Sequence, residues 1–514
     1  MKLLWCDLHA NIHSEQLKDI EKWYEFGKEM TDFWPIAYYP FYMRKDETGL
    51  GVEDIHSEEK RNSDWEKIRE FVKNTSTDDY LLFMGYEWQG AGKDGDHNVF
   101  YKNLDQMLHA PMRYQELTEL LPAGEAIAVP HHLAYASGHR GKNWATHNEK
   151  YSPFAEIFSS HGSSESDTTD IHMGRHVHMG PRTSGNDVMS GLKQGKICGI
   201  IASGDNHVVP AMFGHGLMAC YAEEYTRDGI FEAFLNRRVY GVTGAKTKLY
   251  YTLNDQLLGS VIEPSVDNKY TAFVDVECGN AIDRIEFIRN GVAEHTYVHN
   301  GTWENEKLEG TIKFKFRTDF GWGPDLRIYP DITKKEWQGE VITEGKILSV
   351  EKLWTNPGQK VIEQTDKNYK FELLTKKTTQ TGKWMGASGI QTEGFIFEVE
   401  ADINSKMTFI VNGKTFVYTV AEILEGSKLN GFVEEAVELA KERFGFSEYY
   451  RTDPFWHNAY KFKINQGFPE IAYKKQISYT FDGLKTDNKD FFMVKIHQKN
   501  GEVAWSSPVW VRTK

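Results

Sequence analysis

Five short apolar segments in the first 215 residues each end in side chains of the types that bind metal ions. In chain order, these ends are Asp7, His9 and His13, then Glu87, then His131 and His132, then Glu156 and His161, and finally Asp205 and His207. Side chains at the carboxyl ends of successive barrel strands converge on one pocket. The pattern therefore predicts a fold that gathers these groups at one edge, where imidazole and carboxylate ligands suit zinc, manganese or iron.

Histidine is concentrated in the same part of the chain. Fifteen of the 19 histidines lie in residues 1–215, and the other four are His295, His299, His457 and His497. A single histidine at a strand end is more often structural than functional. Their concentration in one region, together with the five ligand-type motifs that each follow an apolar run, favours a metal site confined to one domain.

The sequence pattern changes near residue 245. Before that point short apolar runs alternate with amphipathic helical stretches, which is typical of a parallel sheet or barrel. After it, strands with alternating apolar and polar residues are separated by Asn-Gly turns. We therefore predict an α/β catalytic domain over residues 1–245 and an antiparallel β-sandwich domain over 246–514, with a helical insertion near 431–444.

Charge and cysteine content exclude several classes of protein. The net charge is −14, so a long polyanion such as DNA would be repelled over most of the surface. Cys6, Cys198, Cys220 and Cys278 form no CxxC pair, which argues against a thiolate zinc site and a disulfide framework.

The apolar runs are too short for a signal peptide or a membrane span. Asp7 interrupts the N-terminal apolar run, and no later run approaches the roughly 18 residues of a membrane span. We expect a soluble, cytoplasmic protein that binds neither nucleic acid nor membrane.

Four strand-end motifs occur in the order of a known superfamily. They are Asp7-Leu-His9, Gly85-Tyr-Glu87, Pro130-His131 and Gly204-Asp-Asn-His207. Over residues 3–245 the chain resembles the polymerase and histidinol phosphatase (PHP) superfamily. Further motifs resemble a PHP-like family with a C-terminal β domain: Gly85-Tyr-Glu-Trp88, Asp96-His-Asn-Val99, His161-Gly-Ser-Ser-Glu165, Phe320-Gly-Trp-Gly-Pro324 and Ala504-Trp-Ser-Ser-Pro-Val-Trp510. The resemblance implies a distorted (βα)7 TIM-like barrel, up to three metal ions and hydrolysis, best known on phosphoesters.

The resemblance also assigns ligand positions. The positions that match are His9, Glu87, His131, Asp205 and His207, with His161 as a further match and His13 and His97 as additional candidates. Two departures stand out: Asn11 replaces the second histidine of the opening motif, and the strand that should end in an Asp-His pair ends instead in Tyr38 and Tyr39. Because these ligands are lost, we predict one or two divalent ions (Zn, Mn or Fe) and not three.

Other residues are candidates for catalysis and substrate binding. A bound ion lowers the pKa of its water, which then attacks the substrate, and His132 or His161 could donate the proton to the leaving group, since histidine titrates near 6.5. Tyr39 could supply a phenol to the pocket, or it could simply pack.

Several cations lie in loops that follow the predicted barrel strands. Arg140, Arg175 and Arg182 could bind an anionic substrate, or they could belong to a solvated surface. Residues 171–181, which are rich in histidine, could form a lid over the site. A surface loop that is histidine-rich by chance is the alternative.

Three functions remain open at the level of sequence. The first is a phosphoesterase that acts on a small anionic molecule, and the second is a metal-dependent hydrolase or lyase that acts on a carbohydrate. Tryptophans of the β domain could stack on sugars or fill its core: Trp303, Trp322, Trp337, Trp354 and Trp384. The third is a metal-binding protein without catalysis. An oligomer is possible in each case.

Overall fold

The structure is a computed structural model, and it describes residues 1–171, 173, 182–377, 392–449 and 453–513. The chain forms two compact units. The first comprises Met1–Glu277, Asp283–Val298 and Lys475–Lys514, and the second comprises Cys278–Ile282 and His299–Lys474. The domain boundary predicted at residue 245 stays a prediction. The first compact unit extends beyond residue 245 and includes the C-terminal strands.

The first unit combines β-strands with α-helices. Its strands up to residue 298 are β1 (Lys2–Cys6), β2 (Asn11–His13), β3 (Trp34–Tyr39), β4 (Phe41–Lys45), β5 (Gly51–Ile55), β6 (Leu82–Trp88), β7 (His97–Tyr101), β8 (Ala126–Pro130), β9 (Phe154–Ser159), β10 (Gly162–Ser163), β11 (Gly199–Ala202), β12 (Leu217–Ala222), β13 (Val239–Val242), β14 (Lys248–Leu253), β15 (Gln256–Leu257), β16 (Val261–Ile262), β17 (Lys269–Glu277), β18 (Ile282–Arg289) and β19 (Val292–Val298). Its α-helices are α1 (Ile20–Met30), α2 (Glu58–Thr75), α3 (Tyr114–Leu120), α4 (Val188–Lys193) and α5 (Arg227–Leu235). Short 3-10 helices lie at Ser14–Asp19 and Trp144–Thr146.

The second unit is dominated by antiparallel strands. They are β20 (Thr311–Trp322), β21 (Lys334–Thr343), β22 (Lys346–Lys352), β23 (Lys360–Gln364), β24 (Asn368–Lys376), β25 (Glu393–Asp402), β26 (Lys406–Val411), β27 (Lys414–Thr419), β28 (Lys428–Gly431), β29 (Tyr460–Ile464) and β30 (Phe468–Pro469). Its helices are α6 (Val420–Glu425), α7 (Val433–Phe444), α8 (Pro454–Asn458) and α9 (Glu470–Tyr473). The chain then returns to the first unit as β31 (Lys474–Asp482), β32 (Phe491–Gln498), β33 (Val503–Ser506) and β34 (Val509–Val511).

Two sheets of the first unit carry most of the candidate site. One has the order β2-β3-β6-β7-β8, in which β2, β3 and β6 are parallel and β7 runs antiparallel between β6 and β8. The other is β10-β9-β11, with β9 and β11 parallel. Strands β6, β8 and β9 are buried along their whole length, as expected for strands covered on both faces. Because β6 and β8 point the same way, their carboxyl ends meet at one edge.

The largest sheet links the start of the chain to its end. It has nine strands, with the path β1-β12-β13-β33-β32-β18-β19 and with β16 and β34 joined beside it. Among the described residues no sheet closes on itself. The (βα)7 barrel therefore stays a prediction.

The second unit contains a six-stranded sheet around β20 and β25 and a five-stranded sheet around β21 and β24. Aromatic side chains connect the two sheets. The ring of Phe320 lies 5.3 Å from that of Phe371, and the ring of Phe397 lies 5.5 Å from that of Tyr369. Such contacts between two sheets agree with the predicted β-sandwich, which stays a prediction. Helix α7 lies in the range where the sequence pattern predicts a helical insertion.

Candidate metal centre

Asp7 positions the first ligand without itself facing the centre. The carboxylate is fully buried. Its Oδ1 accepts hydrogen bonds from the backbone N–H of His9 at 2.9 Å and of Gly204 at 2.8 Å, and its Oδ2 accepts one from Ala211 at 2.8 Å. One side chain thus ties the loop after β1 to the loop after β11, which brings His9 and Asp205 together.

The first group that could hold a metal ion consists of His9, Glu87 and His131. Glu87 Oε2 lies 3.5 Å from His9 Nε2, and Glu87 Oε1 lies 3.7 Å from His131 Nε2. The two imidazole rings are 4.0 Å apart, and all three side chains are buried. Asn11 donates to Glu87 Oε2 at 2.8 Å, so this amide orients the carboxylate of Glu87.

The second group consists of His9, Glu156 and Asp205. His9 Nδ1 donates to Glu156 Oε2 at 2.8 Å, and the hydroxyl of Ser203 donates to the same oxygen at 2.6 Å. With its proton on Nδ1, a neutral His9 presents the lone pair of Nε2, which lies 3.3 Å from Asp205 Oδ1. The carboxylate of Glu156 therefore fixes the tautomer that ligation requires.

The third group consists of Asp96, His131 and His132. His132 Nε2 lies 3.6 Å from Asp96 Oδ2.

Two residues of the centre have an unusual backbone conformation. His132 has φ +34° and Asp205 has φ +45°, a left-handed conformation that residues with a Cβ adopt rarely. Strain of this kind persists where the surrounding structure imposes it, often at functional sites.

Several buried polar atoms of these groups have no hydrogen-bond partner. Buried atoms without a hydrogen-bond partner include His9 Nε2, both ring nitrogens of His131, His132 Nδ1, Asp96 Oδ1 and Asp205 Oδ2. Buried polar groups are normally hydrogen-bonded, and a missing ion is one explanation when they are not. The centre also buries four carboxyl groups against one guanidinium, that of Arg140, so acidic groups outnumber it. The four are those of Glu87, Asp96, Glu156 and Asp205. The donor set therefore fits one or more divalent cations.

The electrostatics of the centre agree with that fit. Burial raises the pKa of Asp205 to about 7. Burial also acts to raise the pKa of Glu87, but the neighbouring imidazoles of His131 and His9 lower it well below its ordinary value. For His9 burial acts to lower the pKa, and the charges of Asp205 and Glu156 raise it well above 6.5. The centre attracts positive charge, which a proton or a metal ion can supply.

His161 lies at the edge of the second group. Its Nε2 is 3.1 Å from Asp205 Oδ2, and its Nδ1 shares a hydrogen bond of 2.9 Å with the hydroxyl of Tyr135. The side chain is buried. The structure thus brings His161 next to Asp205, where it can ligate an ion or relay a proton.

His13, His207 and Tyr39 form a separate aromatic cluster. His13 Nε2 and His207 Nδ1 are 2.6 Å apart, and the ring of Tyr39 lies 4.7 Å from His13 and 4.9 Å from His207. The hydroxyl of Tyr39 donates to Glu53. Burial lowers the pKa of His207 to about 3, so this imidazole is neutral. Neither histidine belongs to the three groups found within the described residues.

The structure does not bring His97 to these groups. Its Nδ1 donates to the carbonyl of Gly95 at 2.8 Å, its Nε2 lies 3.0 Å from Lys142 Nζ, and its ring stacks on Tyr114 at 4.2 Å. The reason is the alternation of side chains along β7. Asn98 pairs with Glu87 across the strands and shares its face, whereas His97 points the other way.

The predicted anion-binding arginines have other partners. Arg140 donates to Asp96, to Glu53 at 3.0 Å and to Glu87 at 3.2 Å. Arg182 pairs with Asp167, away from the three groups. Arg175 and the predicted histidine-rich lid, apart from Ile171 and Met173, lie outside the described residues.

Glu156 was noted in its strand from the sequence but was not assigned as a ligand, and Asp96 was not assigned as one either. The sequence also did not fix which of His131 and His132 binds the ion. A signal was present for Glu156, because a carboxylate between Ala155 and Ile157 in a fully buried strand needs a partner. Asp96 could have been found from strand alternation, since it lies two residues before Asn98 and thus on the same face.

None of the described helices combines the length and apolar character that crossing a membrane requires.

Comparison with known proteins adds the following. No family model matches the chain. An uncharacterized protein of Chlamydia pneumoniae is 21% identical over 298 residues, which cover 53% of this chain and 47% of the relative. An uncharacterized protein of Chlamydia muridarum (strain MoPn / Nigg) is 26% identical over 196 residues, which cover 34% and 30%. The chain therefore spans about half or less of the length of these curated relatives. Among solved structures, a two-domain protein containing predicted PHP-like metal-dependent phosphoesterase from Bacteroides vulgatus ATCC 8482 aligns over 81% of this chain and 94% of that chain, with 13% identity and a TM-score of 0.28.

Proposed function

We propose that this protein is a metal-dependent hydrolase that cleaves a phosphoester of a small anionic molecule. The observation that carries the proposal is the sharing of ligands among the three groups. His9 belongs to two of them and His131 to two. Shared ligands favour a compact centre for one or two ions, and closely spaced ions are typical of hydrolytic phosphate chemistry.

When bound, a divalent ion supplies positive charge to the ester oxygens and lowers the pKa of a water molecule. The residues of the chain do the rest. His9, Glu87, His131 and Asp205 would hold the ion, and Glu156 and Asn11 orient two of them. His161 is the better candidate for the proton donor, because the hydroxyl of Tyr135 shares a hydrogen bond with its Nδ1 and orients the ring.

Arg140 takes a different role from the one that the sequence analysis gave it. Its guanidinium is 17% exposed and contacts the carboxylates of Glu53, Glu87 and Asp96. A cation held by three carboxylates is not free to bind a phosphate. We propose that Arg140 neutralises the ligands and that the metal ions hold the substrate anion.

The carbohydrate alternative loses one of its supports. Trp337 and Trp354 are each 1% exposed, so their faces cannot stack on a sugar. Trp303 and Trp322 are half-buried, and Trp384 lies outside the described residues. Core packing explains the two buried tryptophans without a ligand.

The test uses the full chain, loaded separately with Zn²⁺, Mn²⁺ and Fe²⁺. Bound metal is measured by mass spectrometry, and a panel of phosphate monoesters and diesters is assayed for released phosphate or alcohol. We expect one or two ions per chain and turnover of at least one ester class. His295→Ala, which alters a half-buried histidine stacked on Tyr479, is the matched control and should keep both. Metal binding without turnover of any ester would overturn the phosphoesterase and leave the carbohydrate-acting and non-catalytic alternatives.

A further inference from the structure

A cavity of about 430 Å³ lies against Glu87. Its walls come from the β4–β5 hairpin, the end of β6 and the segment 108–112, and its apolar lining includes Phe41, Ile55, Trp88, Leu108, Pro111 and Met112. Small-molecule sites typically measure about 300–1,000 Å³. The cavity therefore has the size and lining of a site for a small organic group.

The apolar wall is fixed in place. The indole N–H of Trp88 donates to the carbonyl of Pro111 at 2.8 Å, and the ring is buried. Gly90 has φ +52°, and a Cβ there would lie 2.4 Å from the ring of Trp88 and 2.8 Å from the carbonyl of Met112. Glycine at this position lets the segment 108–112 close against Trp88, so the wall is preformed.

The charged groups around the cavity are unequal in their partners. Glu53 is paired with Arg140 at 3.0 Å, and Asp54 is paired with Arg44 at 2.9 Å. Arg61, on α2, donates through Nη1 to the carbonyl of His56 at 2.5 Å, and its buried Nε has no hydrogen-bond partner. Within the described part of the chain Arg61 forms no ion pair. Its guanidinium can therefore take an anion from a ligand.

We propose that this cavity binds the organic part of the substrate, an aromatic or branched apolar group with a second anionic substituent that pairs with Arg61. This proposal rests on the proposed function, because Glu87 links the cavity to the centre where the ester would be held. A fixed apolar wall selects for apolar groups, and one cation at its edge selects for a second negative charge.

Equilibrium binding tests the cavity separately from catalysis. Methylphosphonate, phenylphosphonate and 4-carboxyphenylphosphonate are titrated into the Mn²⁺-loaded full chain by calorimetry, since none of them can be hydrolysed. We expect phenylphosphonate to bind about 10- to 100-fold more tightly than methylphosphonate, as for other apolar pockets. The carboxylate should add about another 10-fold through Arg61.

Two variants locate the effect. Arg61→Met should abolish only the gain from the carboxylate, and Ala110→Phe, which narrows the cavity, should abolish the preference for phenyl over methyl. Arg238→Met, which removes a surface arginine paired with Glu232, is the control and should change neither. Bound metal and circular dichroism confirm that each variant is folded.

The outcomes separate the two proposals. Equal affinities for the methyl and phenyl compounds, or a carboxylate gain that survives Arg61→Met, would overturn the cavity proposal even if esters are hydrolysed. Tight binding of arylphosphonates without turnover of any ester would overturn the phosphoesterase and leave the cavity as a binding site.

Discussion

The two units of the chain each bury carboxylates, but they surround them differently. In the first unit Glu87 lies among the imidazoles of His9 and His131, several of whose nitrogens have no hydrogen-bond partner. In the second unit Glu393 is fully buried and accepts hydrogen bonds from the backbone N–H of Thr355 at 2.9 Å, from the hydroxyl of Thr355 at 2.5 Å and from Asn356. One carboxylate faces groups that bind cations, and the other faces neutral donors.

This difference separates a carboxylate that could hold a metal ion from one that could not. Burial raises the pKa of Glu393 to about 8, so a proton can neutralise it inside the fold. Burial acts in the same direction on Glu87, yet the neighbouring imidazoles of His131 and His9 lower its pKa well below 4.5. Glu87 therefore stays charged and lies among cationic and cation-binding groups, Arg140 among them, whereas Glu393 needs no cation. The buried fraction alone does not distinguish Glu87 from Glu393, because both side chains are buried.

The largest expected effect comes from removing the ligand that two groups share. His9→Ala should reduce bound metal by at least half and hydrolysis by about 1,000-fold or more, since even outer-shell partners of a metal typically contribute 10- to 100-fold. Saturating metal, at about 1,000 times its Kd, stabilises a fold by about 4 kcal/mol, and this gain should be lost. Thermal unfolding with and without Mn²⁺ measures it.

Glu393→Gln is the matched control for that experiment. It changes an equally buried carboxylate and should keep the full response to Mn²⁺. If His9→Ala responds to metal as strongly as Glu393→Gln does, the assigned centre is wrong.

The second effect is a pH dependence of stability that arises from Glu393. Between its ordinary pKa of 4.5 and about 8, the folded state keeps a proton that the unfolded chain has released. The free energy of unfolding therefore falls as pH rises through this window, by at most roughly 5 kcal/mol at about 1.4 kcal/mol per pH unit. Below pH 4.5 both states are protonated and nothing is lost.

Urea unfolding of the wild type and of Glu393→Gln between pH 5 and 8 measures this contribution. The advantage of the variant should grow with pH, because glutamine cannot ionise. A difference that stays constant, or one that shrinks as pH rises, would mean that Glu393 is charged in the folded state.

Much of the candidate site could be predicted from the sequence. His9, Glu87, His131 and Asp205 each follow an apolar run, and strand ends that share a direction place such residues together. Glu156 was noted but not assigned as a ligand, because it lies inside a strand and not at its end. His97 was included because a residue beside a strand start has no visible face until the register with Glu87 is known.

The sheets were harder to predict than the site. Tyr240 pairs with Ser506, and Leu4 pairs with Cys220. Such pairings join segments with similar alternating patterns, and local sequence does not distinguish among the partners available. Packing of the whole unit chooses between them. The return of β33 to the first unit therefore became visible only in the structure.

The third effect is smaller and concerns the cation already present in the centre. Arg140→Met removes the guanidinium from Glu53, Glu87 and Asp96 and leaves the excess of negative charge larger. Without metal the variant should be less stable by about 2–4 kcal/mol, because breaking a buried ion pair leaves charges uncompensated. With Mn²⁺ much of that loss should be recovered, and metal affinity should rise several-fold. Arg182→Met, which breaks a pair with Asp167, should show no such recovery.

The smallest effect distinguishes two histidines that the sequence pattern treats alike. His131 has no hydrogen-bond partner on either ring nitrogen, whereas His97 has Gly95 and Lys142 as partners. His97→Asn should therefore leave bound metal unchanged and lower stability by only about 1–2 kcal/mol, the usual effect of lost hydrogen bonds. His131→Asn should lower the bound metal, while its free energy of unfolding without metal should be similar to that of His97→Asn. Metal analysis and thermal unfolding on the two variants side by side measure the contrast. If His97→Asn lost as much metal as His131→Asn, the assignment of His97 outside the centre would be wrong. The pairing of His97 with Trp88 argues against that outcome, because it places the His97 ring on the face of β7 opposite to the one that faces Glu87.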